Sequence, residues 1–236
     1  MRFFALTVAS LALSVVAVLP GCSSKQGATG GGIDGTPQGT NPQGIPYPSA
    51  GIGIGARGLD ASNAPNANHH GDVMQNYKFL GYPDGDSSKA MQTVSLADYY
   101  DPTGTKYKVL HIIAAAEWCG PCNDETSALV TALKSSATTY PGVVYLQTLV
   151  EGFTPSTGAT PADLNDWVAK YHQGFAVVLD PEAYDLGAFF NAAAVPFNAD
   201  IDARSMEILQ AGVGEDSPDS AKVWLDWVNA NPPTKY

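Results

Sequence analysis

The sequence predicts an α/β domain carried behind a long irregular arm. Three observations carry that expectation. From Val109 onward, short apolar runs alternate with segments of helical periodicity. Val109–Ala115 and Val143–Val150 are apolar almost throughout, which suits parallel strands buried on both faces. Helix starts are marked by Thr160-Pro161-Ala162-Asp163, Asp180-Pro181-Glu182 and Ser217-Pro218-Asp219, each a capping residue followed by a proline suited to the first turn.

Residues 1–21 read as a cleavable signal: Met1-Arg2, then an apolar run from Phe3 to Leu19 that is short for a membrane span and ends in Pro20-Gly21. Leu19-Pro20-Gly21-Cys22 resembles the lipobox of bacterial lipoproteins. That resemblance implies cleavage before Cys22, lipid on its sulfur and a chain held at the cell envelope. Ser23, rather than Asp, follows Cys22 and so carries no inner-membrane retention signal if the cell has two membranes. Residues 23–71 hold 12 Gly and 5 Pro among 49, about a third, and predict a disordered tether over 22–71. Gly51-Ile52-Gly53-Ile54-Gly55 lacks the preceding strand and following helix of a phosphate loop. His69-His70 reads as a solvated pair rather than a metal chelate.

Residues 72–236 form the expected domain. They hold 21 Asp+Glu and 9 Lys+Arg, a net of −12 within a chain of −11, which argues against nucleic acid and against electrostatic docking on anionic lipid. A strand is expected over Met74–Phe79, with turns at Tyr82-Pro83-Asp84-Gly85 and Asp101-Pro102-Thr103-Gly104. After Val143–Val150 come a helix bearing Leu164, Trp167, Val168 and Tyr171, a strand at Phe175–Leu179 and a helix from Asp180. Val195–Ile201 and Met206–Leu209 predict a hairpin, and Val223, Trp224, Trp227 and Val228 the core stripe of a last helix. The order is a β-hairpin, then β-α-β-α-β-α-β-β-α, a three-layer α/β sandwich.

The chemistry concentrates where the first central strand hands over to a helix, at Glu117-Trp118-Cys119-Gly120-Pro121-Cys122. Unpaired N–H groups and the macrodipole at a helix N-terminus favour a thiolate. Of the three cysteines, Cys22 is the expected lipidation site, so the domain keeps one pair, too few for a disulfide-stapled scaffold. Zinc would need four ligands, and no second C-x-x-C exists, so no metal site is expected.

The same six residues resemble the active site of thioredoxins, and the span from about Asp72 to Asn231 resembles the extracytoplasmic thioredoxin-like proteins of bacteria, of the TlpA and ResA type. The resemblance implies a thioredoxin-like sandwich whose helix and strand between Thr160 and Leu179 are an insertion. It implies that Cys119, the more exposed thiol, attacks and Cys122 resolves, with no cofactor beyond the redox-active disulfide. Glu117, Trp118, Gly120 and Pro121 shape that surface. Val195-Pro196 matches the family's cis-proline, which lies opposite the thiols and lets substrate backbone pair beside it. The implied partners are protein disulfides, a membrane thiol electron donor, and the membrane itself through lipid on Cys22.

Two departures from the family stand out. Its buried Asp six residues before the first Cys is Ile113 here, leaving Glu117, Glu151 or water to accept the proton of Cys122. Asn123-Asp124-Glu125 replaces a basic helix start, so helix end and carboxylates contest the Cys119 thiolate. A peroxiredoxin is disfavoured, since no Cys stands in that family's Pro-x-x-x-Thr-x-x-Cys pattern; His111 and His172 read as structural. The function expected is an envelope-tethered oxidoreductase that reduces protein disulfides. The alternatives are an oxidant or isomerase on the same site, or a non-catalytic metal or haem-protein chaperone using both thiols.

Overall fold

The computed structural model describes residues 36–135 and 140–236; the expected signal and Cys22 fall outside the described residues. Seven strands make one sheet: β1 (Lys78–Tyr82), β2 (Gln92–Ser95), β3 (Val109–Ala116), β4 (Val143–Glu151), β5 (Ala176–Leu179), β6 (Phe197–Asp202) and β7 (Glu207–Val213). Their order is β2-β1-β5-β4-β3-β6-β7. Strands β3, β4 and β5 run parallel, and every other pairing is antiparallel. All eight residues of β3 are buried, as its unbroken apolar run requires.

Three helices cover one face: α1 (Gly120–Lys134), α2 (Pro161–Tyr171) and α3 (Ser220–Ala230). Side-chain bonds fix their placement. Gln147 of β4 donates to Thr126 Oγ1 of α1 at 2.7 Å and accepts from Trp167 Nε1 of α2 at 2.9 Å. On the same face, Gln210 of β7 accepts from Trp224 Nε1 of α3 at 3.0 Å. Helix α2 starts as its sequence predicts, with Thr160 and Asp163 capping one another and Pro161 in the first turn. It ends at His172, in the left-handed region at φ 50°.

The opposite face carries irregular chain in place of α-helices. Phe190 stacks on Phe197 with centroids 4.5 Å apart, bringing the connection before β6 over the sheet. The helix expected at Asp180 is only a 3₁₀ turn, Pro181–Ala183, with Glu182 at φ 57°. The cause is local: the Asp180 carboxylate reaches forward to accept the N–H groups of Asp185 at 2.8 Å and Leu186 at 3.2 Å, closing a compact loop. Strand β1 also begins four residues later than expected, because the Met74 N–H is spent on Met206 O at 2.8 Å. Its close approach to β5 requires Gly81, where a Cβ would meet Val177 O at 2.3 Å.

The arm departs furthest from expectation. Residues 36–71 are laid against the domain, and the outer edge of β7 pairs with them. Arg57 N donates to Ile208 O, Gly58 N to Leu209 O, and Ile208 N to Asp72 O, at 2.8–2.9 Å. The Arg57 guanidinium lies 2.7 Å from Glu207 Oε1, the two side chains being 3% and 2% exposed. It also stacks over Trp227 at 5.1 Å, while Thr234 from the C-terminus donates to the other Glu207 oxygen. Glycine here serves contact rather than freedom: a Cβ at Gly71 would sit 2.0 Å from Ile208 O. His70 is exposed, as expected of a solvated residue, and its Nδ1 lies 2.9 Å from Arg57 Nη2.

Removing one member of a buried ion pair strands the other. Arg57→Ala is expected to lower the unfolding free energy by about 3–5 kcal/mol in urea titrations. The apolar pair Arg57→Met with Glu207→Leu restores much of the loss. A tether that merely floats gives no change in either case.

Candidate active site

Strand β3 ends at Ala116, and three residues later Cys119 caps α1. Its sulfur accepts the Cys122 N–H at 3.1 Å, and the two cysteines form a disulfide with Cα atoms 5.3 Å apart. Pro121 sits in the first turn, where its missing donor costs nothing. Gly120 and Pro121 form the exposed tip of the motif. The Val195–Pro196 peptide bond is cis, and Val195 O lies 3.5 Å from the Cys119 sulfur. The structure thus gathers Cys119, Cys122, Val195 and Pro196 at one point. The fold is thioredoxin-like.

No protein-family model matches the chain, and no curated protein does. Among solved structures it is similar to a secreted thiol-disulfide isomerase from Corynebacterium glutamicum, at 18% identity over 67% of this chain and 87% of that one, with a TM-score of 0.48. It is similar to an exposed lipoprotein thioredoxin from Streptococcus pneumoniae, at 20% identity over 66% of this chain and 99% of that one, TM-score 0.45. A thiol:disulfide interchange protein of the thioredoxin family from Chlorobium tepidum aligns at 16% identity over 69% and 99%, TM-score 0.48.

The thioredoxin-like site differs from expectation in its exposure. Cys119 keeps only 2% of its surface and Cys122 none. Trp118 stands beside them, half-buried, and donates its indole N–H to Glu151 Oε2 at 2.6 Å. Glu151 also accepts from Ser156 N at 3.0 Å, so it is occupied with positioning. Glu117 is partly buried, and burial followed by the charges of Asp163 and Asp166 raises its pKa. Asn123 ties the motif together by donating to Glu117 O and Cys119 O, at 3.0 and 2.6 Å, while its Oδ1 accepts from Lys170 at 2.6 Å.

The acid that sequence reasoning passed over is Glu125. Read there as a first-turn carboxylate, it belongs instead to the buried stripe Cys122, Glu125, Thr126, Leu129, Val130 of α1. That spacing is the signal that could have found it: one turn beyond Cys122, on the core-facing side. Oε1 accepts from Asn198 Nδ2 at 2.8 Å and Asp216 N at 2.7 Å, and Oε2 has no protein partner. Glu125 and Ile113 line the same small cavity, so a carboxyl does reach the neighbourhood that the family fills from the strand.

Burial raises the Glu125 pKa to about 7, against the pull of the two hydrogen bonds and of His111. His111 is itself buried, 2.9 Å from Asp200 Oδ1. Burial lowers its pKa, but the charge and hydrogen bond of Asp200, with smaller contributions from Asp216 and Glu125, bring it above the ordinary value.

The folded state holds the Glu125 proton to about pH 7, whereas the unfolded chain releases it near pH ~4.3. Between those values the native state binds more protons, so this group makes stability fall as pH rises. The penalty is complete above pH ~7 and is on the order of 3 kcal/mol. Glu125→Gln is therefore expected to match wild type in thermal melts near pH 4 and to exceed it near pH 8. Equal melting temperatures at pH 8 would refute a proton-holding Glu125.

Proposed function

We propose that this chain is a thiol–disulfide oxidoreductase that reduces disulfides of envelope proteins from a lipid anchor on Cys22. The observation that carries the reading is the sulfur of Cys119, held as a helix cap in a disulfide with Cys122 beside a cis-proline. In the reduced enzyme the helix N-terminus stabilises a Cys119 thiolate. That thiolate attacks one sulfur of a substrate disulfide; a Cys119–substrate bond forms, the substrate S–S bond breaks, and one substrate thiolate leaves. Cys122 then passes its proton to Glu125 and attacks the Cys119 sulfur. The Cys119–Cys122 disulfide closes and the second substrate thiolate departs. Two electrons have moved to the substrate, and a thiol donor at the membrane restores the pair.

Gly120-Pro121 between the cysteines supports the reducing direction, as in the reducing members of the resembled family. The lipobox-like Leu19-Pro20-Gly21-Cys22 supports anchoring outside the cytoplasm. Two of the similar structures are described as a secreted protein and an exposed lipoprotein.

Insulin reduction with dithiothreitol tests the activity. Cys119→Ser is expected to abolish it, and Cys122→Ser to leave a covalent enzyme–substrate disulfide visible by mass. Glu125→Gln slows turnover at least about tenfold near neutrality and removes the rate's dependence on pH around 7. The reduction potential of the full chain tests direction. A value near that of thioredoxin (about −270 mV) supports a reductase, whereas one near −120 mV, about that of a strong oxidant, turns the reading to disulfide formation. Wild type inert toward insulin returns the chain to the thiol-ligand class.

A further inference from the structure

On the proposed mechanism, Glu125 accepts the Cys122 proton as the disulfide closes and returns it when a donor thiol opens the pair again. An acid does both only if its hold on the proton is matched to the ambient pH. Burial alone overshoots that match. Glu125 is 3% exposed, and a fully buried glutamate that nothing opposes keeps its proton to about pH 8–9.

The opposing groups meet at one small cavity. It measures about 10 Å³, room for roughly one water, so little solvent screens the charges that face it. Glu125 lines it from α1, His111 from β3, Tyr145 from β4 and Asp216 from the β7–α3 connection. Glu125 Oε1 is committed to Asn198 Nδ2 and to the Asp216 N–H, at 2.8 and 2.7 Å. Oε2 is buried and has no protein partner among the described residues.

The charges around that carboxyl are few and of both signs. His111 Nδ1 lies 2.9 Å from Asp200 Oδ1, which reaches in from β6, and the two side chains are 6% and 3% exposed. Burial works against a charged imidazole there, but the charge and hydrogen bond of Asp200 prevail, and the ring keeps its proton to a higher pH than an ordinary histidine. Asp216 is half-buried, and its carboxylate accepts from the Ser220 side chain of α3 and from Ser217 N. Tyr145 adds no charge, since burial pushes its phenol to about 12. After burial and the two hydrogen bonds, His111 draws Glu125 towards the carboxylate and Asp216 holds it towards the carboxyl.

We infer that His111 and Asp216 are positioning residues of opposite sign: across the cavity the His111 imidazolium favours the Glu125 carboxylate, the Asp216 carboxylate favours the carboxyl, and their balance lets Glu125 take the Cys122 proton and give it back. The inference rests on the oxidoreductase reading, with Glu125 as its acid–base group, and adds the pair of residues that tunes it. Asp200 acts one step further out, fixing the ring and its proton at Nδ1.

The test uses the full chain with isotopically labelled glutamate carboxyl carbons, read by NMR, the Glu125 signal being the one lost in Glu125→Gln. In the oxidised protein that signal titrates at about pH 7. His111→Gln is expected to move the midpoint up and Asp216→Asn to move it down, each by about half a pH unit or more. Asp216→Asn alters a half-exposed side chain and keeps the backbone N–H to Glu125, so its downward shift is readable even where His111→Gln folds poorly. The pH profile of insulin reduction follows in the same two directions, and in the Glu125→Gln background neither substitution moves it. Midpoints that stay in place or move together overturn the pairing, and a rate profile that neither variant moves overturns its part in the reaction; in both cases insulin reduction by wild type keeps the oxidoreductase reading. Wild type inert toward insulin overturns that reading and the pairing's part in it.

Discussion

Strand β3 meets water on neither face. Eight successive buried residues can be accommodated only in the interior of a sheet, with a neighbour on each edge to satisfy the backbone. Strand β4 takes one edge in parallel and β6 the other antiparallel. A parallel neighbour in turn demands a crossover, and α1 provides it. The chain must leave β3 at its carboxyl end and enter a helix within a few residues. Cys119 therefore stands at a helix N-terminus as a consequence of burial upstream. A shift in register between Ala115 and Ala116 and the bond from Glu117 N to Glu151 O turn the chain out at that point.

The helix-covered face of the sheet is unusually polar for a core. His111, Gln147, Asp200 and Gln210 all point into it, at a cost unless each finds a partner. His111 finds Asp200; Gln147 finds Thr126 and Trp167; Gln210 finds Trp224. Because each bond joins a strand to another element, these pairs set the seating of the helices as apolar contact cannot. Glu125 and Asn198 are exceptions, each with one side-chain oxygen that has no protein partner. A buried acid whose desolvation outweighs its hydrogen bonds holds its proton to about pH 7.

What could be read from the sequence was what is local. The β3–α1 handover, the Thr160–Asp163 cap and Pro121 in its turn depend on neighbours within a few residues. What could not be read depends on distant partners. The arm is fixed by Glu207, Thr234 and Tyr236, more than a hundred residues away, so its glycines resembled those of a free tether. The seclusion of Cys119 comes from sequence-remote chain, including Val195, 3.5 Å away. Asp180 is the local case that still escaped: it precedes a proline, as an N-cap should, yet its carboxylate takes Asp185 and Leu186, five and six residues on. Glu125 was within reach of sequence pattern, because its spacing from Cys122 and Leu129 places it in the buried stripe.

The placement of Glu125 also bears on the contest over the Cys119 thiolate. Two carboxylates early in α1 look, in sequence, as though they oppose the helix dipole. Asp124 points to solvent, where water and salt screen it, and Glu125 is buried and raised to about 7. At and below neutrality, Glu125 carries substantially less than a full negative charge, and the N-terminal N–H groups act on the sulfur against little opposition. On the proposed mechanism, the charge forms when Cys122 hands over its proton, the moment at which Cys119 ceases to be a nucleophile and becomes the sulfur under attack. Moving the carboxyl from the position of Ile113 to the helix ties both thiols and the acid to one rigid element, so a displacement of α1 carries all three together.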